Sequence, residues 1–229
     1  MRSVFIILVC VFLLTGQILG CKGSRIETRE DKISYAIGVN VGKGMQQQSV
    51  EIDPDIFTKG MKDAMTGAKT AMTDKEMSQV LAAFQKEMTE KQAERMKVIG
   101  EKNGKEGEAF LAANKKKEGV KTLSSGLQYK VIREGTGQMP KSTDTVTTNY
   151  RGTLIDGTEF DSSYKWGQPA KFPVKGVIAG WTEALKLMKV GSKWQIFIPP
   201  DLAYGERGAG NVIGPNATLI FDIELISIN

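Results

Sequence analysis

Histidine is absent from all 229 residues. That gap removes any Ser-His-Asp or Cys-His nucleophile system and every zinc site that needs an imidazole. Cysteine is scarce. Cys10 and Cys21 are the only two, so the rest of the chain holds neither a disulfide framework nor a CxxC redox pair. Charge of one sign is also modest: 31 basic against 26 acidic residues leave +5. Arg2 is the only charged residue among the first twenty, so +4 remains without them. So weak a bias does not call for nucleic acid or an anionic surface as partner. The densest basic run, Lys115 to Lys117, has no interleaved aromatics and reads as a solvated helix end.

What is present is a chain with 41% hydrophobic and 25% charged residues, the balance of a soluble globular protein with room for one large core or two modest ones. Its first 21 residues, MRSVFIILVCVFLLTGQILGC, run from a basic residue through an apolar stretch, Val4 to Leu14, to small and polar residues. That is the layout of a secretory signal, and the apolar run is too short to span a bilayer comfortably. It ends in ILGC, which resembles a bacterial lipobox with Ile18 in place of the usual leucine. Cys21 is then the lipid-accepting residue, and acyl chains on it would hold the protein at a membrane. Residues 22–31 read as a flexible tether.

From about Lys32 to Lys117 the pattern is helical. Ile33, Ala36, Ile37 and Val41 recur at spacings of three and four, as do Ile56, Phe57, Gly60, Met61 and Ala64. Asp53 suits an N-cap and Pro54 a first turn. A proline-free run then carries Met77, Val80, Leu81, Phe84 and Met88 as a stripe, opened by a Thr73–Glu76 capping-box pattern. Unbroken over 74–117 it would measure about 65 Å, too long to pack on one small domain throughout. Gly100, Gly104 and Gly107 weaken its middle. Seven of the ten methionines lie between Met45 and Met96. Some are helical core; their excess favours a dimer interface or a surface for varied apolar clients.

Beyond Gly119 the period changes to two. Leu127, Tyr129 and Val131 alternate with polar residues, as do Val146, Thr148 and Tyr150, then Trp194, Ile196 and Ile198. In the last run Leu219, Phe221, Ile223 and Leu225 share a face opposite Asp222 and Glu224. These are half-buried antiparallel strands. Asp156-Gly157 marks a tight hairpin, and Trp181 to Met188 a short helix. A twisted sheet with one face on that helix gives an α+β layer.

Chemistry has few places to sit. GERGAGNVIG, 205–214, leads into a strand and not a helix, so it reads as a rim loop and not a phosphate loop. Asp161 is either a hydrogen-bond acceptor or a base; the first is the commoner fate of an Asp among apolar residues. Tyr150, Phe160, Trp181, Tyr204 and Phe221 are either a closed core or an open pocket, which composition cannot separate.

FDSS at 160–163, VIAGW at 177–181, the AYG at 203–205 and GPNATLIFDIEL at 214–225 together resemble the FKBP-type peptidyl-prolyl isomerases over about 120–229. The segments DKISYAIGVNVGKGM and DPDIFTKGM, the long helix, and FLAAN followed by SGLQYKVI resemble the macrophage infectivity potentiator group. The resemblance implies an N-terminal all-α dimerisation and chaperone region over 32–118 and an isomerase domain over 119–229. That domain would be a five- or six-stranded antiparallel sheet wrapped over one short helix. Residues 1–20 would be the signal peptide and 21–31 the lipid-anchored tether.

By the same resemblance Trp181 forms the pocket floor, with Tyr150, Phe160 and Phe221 as walls. Val177 and Ile178 line the entrance, with the Ile178 N–H free for a ligand carbonyl. Tyr204 offers its hydroxyl to another, Ile213 closes the rim and Asp161 sits at the edge, held by Tyr150. Catalytic roles fall to Asp161, Tyr204 and Tyr150. Ala170, Ala209 and Trp166 depart from residues common in the family. The implied protein is a homodimeric isomerase of the bacterial envelope, periplasmic or lipid-anchored at the outer membrane, acting on prolyl segments of unfolded or exported proteins. It would need no cofactor and no metal, bind no nucleic acid, and be open to a macrolide of the rapamycin class. The second reading is a non-catalytic holdase or surface interaction protein with a vestigial pocket.

Overall fold

The computed structural model describes residues 25–229; the expected signal peptide over 1–20 and the expected lipid site at Cys21 lie outside them. The chain divides into two compact units, Met1–Thr73 and Asp74–Asn229. The first holds α1 (Arg29–Gln47) and α2 (Pro54–Thr66). Helix α1 starts inside the stretch expected as tether. Thr28 caps it: its hydroxyl accepts from the Asp31 N–H at 3.0 Å, and the Asp31 carboxylate accepts from the Thr28 N–H at 2.9 Å. This is a capping box with Asp in the place usually given to Glu. Asp53 caps α2 as expected, accepting from the N–H groups of Asp55 and Ile56, with Pro54 in the first turn. Neither helix buries any residue.

The second unit opens with α3 (Asp74–Asn114), 41 residues in one piece and about 61 Å long at the usual rise. Two of the three glycines that were expected to weaken it, Gly100 and Gly107, instead mark where it packs, whereas a Cβ on Gly104 would meet nothing within 4 Å. Gly100, Gly107 and Asn114 are the buried residues of α3. A Cβ on Gly107 would collide with the Thr218 hydroxyl, and one on Gly100 would lie 3.1 Å from Pro215 Cβ. Glycine costs the helix up to about 1 kcal/mol in propensity, and the close approach to the sheet offsets it. Further along, Phe110 meets Phe197 with ring centroids 5.9 Å apart. The Asn114 amide donates to Gln128 Oε1 at 3.0 Å, and the Gln128 amide donates to the Leu111 carbonyl at 2.9 Å. The long helix thus packs on the sheet along its C-terminal part, while Val80, Leu81 and Phe84 near its start stay exposed.

Seven strands follow: β1 (Val120–Thr122), β2 (Gln128–Arg133), β3 (Thr145–Leu154), β4 (Glu159–Ser162), β5 (Ala170–Pro173), β6 (Lys193–Ile198) and β7 (Leu219–Ile228). All pairings are antiparallel, in the order β1-β2-β6-β7-β3-β4. Strand β5 also pairs with β3, next to its first residues, while β4 pairs next to its last. Two short strands sharing one long edge bring the total to seven, where five or six were expected. The fold is α+β.

Alternation places the core. Leu219, Phe221, Ile223 and Leu225 are buried and the residues between them are half-buried. The short helix α4 (Ala179–Leu185) lies against this face and buries Trp181, Ala184 and Leu185. Met188 falls just past its end yet is fully buried. The Asp156-Gly157 turn is present: Gly157 has φ +88°, a value that glycine adopts without cost, and Asp156 Oδ1 accepts from the Thr158 N–H at 2.9 Å.

Candidate active site

Between the inner face of the sheet, the start of α4 and the 205–214 loop lies a cavity of about 650 Å³. All nine expected site residues beyond Cys21 line it: Tyr150, Phe160, Asp161, Val177, Ile178, Trp181, Tyr204, Ile213 and Phe221. Tyr150, Phe160, Trp181 and Phe221 are therefore both core and pocket, while Tyr204 belongs to the pocket alone.

Trp181 is the hub. It is 3% exposed and touches three rings edge-on: Tyr150 at 5.4 Å, Phe172 at 5.6 Å and Phe221 at 5.2 Å. Phe160 meets Phe221 edge-on at 5.4 Å. Edge-to-face packing suits ring quadrupoles and leaves ring faces available to a guest. The helix that carries Trp181 is tethered by the Thr182 hydroxyl, which donates to the Val174 carbonyl at 2.7 Å.

The wall formed by Phe160 and Phe221 rests on Gly152, which pairs with both Asp161 and Phe221 across the sheet. A Cβ there would come within 2.7 Å of atoms of both the Phe160 and Phe221 rings. The two rings therefore close together over a bare backbone.

Asp161 is an acceptor. The Tyr150 hydroxyl donates to its Oδ2 at 2.7 Å and the Ser162 N–H to its Oδ1 at 2.8 Å. Burial pushes the Tyr150 hydroxyl above its usual pKa, and the hydrogen bond to Asp161, that carboxylate's charge and Tyr204 add to the effect. Tyr150 is thus a neutral donor at neutral pH. The serines of FDSS fix the corner: Ser163 Oγ accepts from the Tyr150 N–H at 3.0 Å, and Ser162 Oγ accepts from the Tyr164 N–H at 3.3 Å.

Two donors face the cavity without an acceptor among the described residues. The Ile178 N–H precedes α4 and bonds to nothing, and the Tyr204 hydroxyl makes no hydrogen bond. Tyr204 is 41% exposed. No group of three His, Cys, Asp or Glu residues among those described converges as a metal site.

Phe172, Gly176 and the run Ala209 to Val212 also line the cavity. Phe172 is the residue that sequence reading missed. Ala170 stands where an aromatic is common in the family, yet the ring on β5 sits two positions on, on the same face. That period-two spacing was the available signal. Phe172 packs on Tyr150 and Trp181 at 5.6 Å each.

A model described as the domain amino terminal to FKBP-type peptidyl-prolyl isomerase matches residues 30–131, and one for the FKBP-type peptidyl-prolyl cis-trans isomerase itself matches 136–226. The outer membrane protein MIP of Legionella longbeachae is 52% identical over 89% of this chain and 87% of its own. The peptidyl-prolyl cis-trans isomerase Mip of Coxiella burnetii is 50% identical over 96% and 97%. The crystal structure of FkpA from Escherichia coli covers 90% of this chain and 99% of its own, with a TM-score of 0.68 at 39% identity. With likeness on this scale in sequence and in fold, the chain belongs to the FKBP-type peptidyl-prolyl cis-trans isomerases.

Proposed function

We propose that the cavity turns prolyl peptide bonds of unfolded and exported proteins in the bacterial cell envelope. The observation that carries this is an aromatic box with two unpartnered donors and a carboxylate already engaged by its neighbours. Amide rotation meets a barrier of about 18–20 kcal/mol, set by resonance. For X–Pro the isomers lie close in energy, so the task is one of rate. No bond breaks, and no general base is needed. A twisted amide is less charge-separated than a planar one, so apolar walls disfavour the planar ground state more than the transition state.

In this reading the prolyl ring sits on Trp181 between Tyr150, Phe160, Phe172 and Phe221. The Ile178 N–H and the Tyr204 O–H hold the flanking carbonyls, Val177 and Ile213 border the mouth, and Asp161 keeps Tyr150 in place. A cavity of this size and lining also suits a macrolide of the rapamycin class.

The test is cis/trans exchange on an Ala-Leu-Pro-Phe-type peptide, followed by NMR without a coupling protease. Tyr204→Phe is expected to lower kcat/KM about threefold to tenfold, the range of one neutral hydrogen bond to a carbonyl. Its fold stability should change by less than about 0.5 kcal/mol, because the lost hydroxyl bonds to nothing. Asp161→Leu should cost activity as well, by freeing Tyr150. Unchanged exchange in both variants would remove the assigned roles.

The helical region is read as a dimerisation and chaperone arm. Ile33, Tyr35 and Ile37 on α1 and Ile56, Met61 and Met65 on α2 are between 46% and 82% exposed, and neither helix buries a residue. Large apolar side chains left exposed in this number call for cover. A second copy of the chain supplies it. Sedimentation of the chain without residues 1–21 should therefore give a dimer, and a monomer at micromolar concentration would sink the reading. Holding of unfolded clients is assigned to this arm, so Tyr204→Phe should leave suppression of client aggregation intact. Anchoring through Cys21 is read from the lipobox alone; labelled palmitate should enter the protein and fail to enter Cys21→Ala.

A further inference from the structure

The long helix touches the chain immediately behind the pocket rim. Asn103, half-buried on α3, donates its amide to the Pro215 carbonyl at 2.8 Å. One residue on, the Asn216 N–H donates to the Gly205 carbonyl at 2.8 Å, and Gly205 follows Tyr204 directly. Asn216 holds φ at +53°, a left-handed conformation that asparagine tolerates better than most residues. On the near side, Gly214 packs against Asn103 and Ile99, at 3.0 and 3.2 Å from where its Cβ would stand. Gly214 in turn follows Ile213, which is tied to Ala209 by a pair of backbone hydrogen bonds of 2.8 and 3.2 Å. Both ends of the loop, Tyr204 and Ile213, line the cavity.

We propose that Asn103 is a positioning residue for isomerisation: through Pro215 and Asn216 it sets the placement of Tyr204 and of the 209–213 rim. It touches no substrate. A loop that carries a donor needs its two ends fixed, because a small misplacement of that donor costs rate. The sheet fixes the far end at Leu219, the start of β7. Asn103 fixes the segment between that strand and the loop, and does so from a helix outside the sheet. The proposal rests on the isomerase reading of the cavity, but one of its readouts does not.

The experiment compares Asn103→Leu and Asn103→Gln with wild type and with Lys105→Ala, a control on the exposed side of the same helix. Leucine is a better helix former than asparagine, so a purely structural role in α3 would not be harmed by it; glutamine keeps an amide donor. Two quantities are read: kcat/KM by protease-free exchange, and hydrogen exchange of the Asn216 amide. The expected result for Asn103→Leu is a fall of about threefold to tenfold in kcat/KM, with faster Asn216 exchange, shifted Tyr204 ring resonances and an unchanged helical signal. Asn103→Gln should recover part of both, and Lys105→Ala should match wild type. Wild-type kcat/KM in a folded Asn103→Leu protein overturns the proposal, as does lost activity with Asn216 exchange and Tyr204 resonances unmoved. If Asn103→Leu does not fold, Asn103→Ser replaces it under the same criteria. Inactive wild-type protein would strike the isomerase reading instead, and the Asn216 exchange would still report whether Asn103 holds the rim.

Discussion

Trp181→Ala is expected to cost the second unit about 3–5 kcal/mol of stability and to lower kcat/KM at least about a hundredfold. The side chain is 3% exposed and touches Tyr150, Phe172 and Phe221, so its removal leaves three rings with a void at their centre. Loss of that size comes from two sources, the transfer of the indole and the cavity left behind, and the rings cannot all collapse inward at once. Trp181→Leu separates stability from catalysis, since it keeps an apolar filling but not the flat floor. Urea unfolding and protease-free exchange on both variants give the answer. A folded Trp181→Leu protein with wild-type turnover would show that the floor does no more than fill space.

Gly152→Ala is the second large effect, though only one methyl is added. The new carbon would stand 2.6 Å from Phe160 Cε2 and 2.7 Å from both Phe160 Cζ and Phe221 Cε1, well inside ordinary van der Waals contact. Something must shift, and what shifts is the wall itself. Overpacking of this kind costs about 1–3 kcal/mol, and kcat/KM should fall about tenfold or more as the two rings are pushed apart. The sheet should persist, since β3 keeps its other pairings on both sides. Aromatic proton shifts of Phe160 and Phe221, read beside activity, decide the matter. Native shifts and native rate in Gly152→Ala would mean that the backbone yields and the rings are not held by this glycine.

Legibility followed the range of the interaction that decides each feature. The β7 face of Leu219, Phe221, Ile223 and Leu225 could be read directly, because alternation within one strand reports which side meets the core. The Asp53 cap and the Asp156-Gly157 turn were equally plain, each being a matter of a few adjacent residues. The Thr28–Asp31 cap is just as local, but it lies in a polar stretch whose composition reads as a tether, and Asp is the less usual residue at the third helical position of a capping box. The expected weakness of α3 at Gly100 and Gly107 had the opposite fault. Propensity is local, but those glycines answer to Pro215 and Thr218 more than a hundred positions away.

The same division runs through the site. By itself the sequence determined that no imidazole or thiol chemistry operates in the described residues, and that an α+β domain with period-two strands and one short Trp-bearing helix follows a helical region. It also carried the motifs that mark the family. These follow from composition, periodicity and short patterns, which need no knowledge of what lies across the fold. Only the tertiary structure decided that the aromatics leave a cavity open, that Phe172 completes the box, that Asp161 accepts from the Ser162 N–H as well as from Tyr150, and that Asn103 reaches the rim. Each of these depends on residues far apart in sequence being held within a few ångströms of one another, and that distance is set by packing of the whole sheet, which no local pattern encodes.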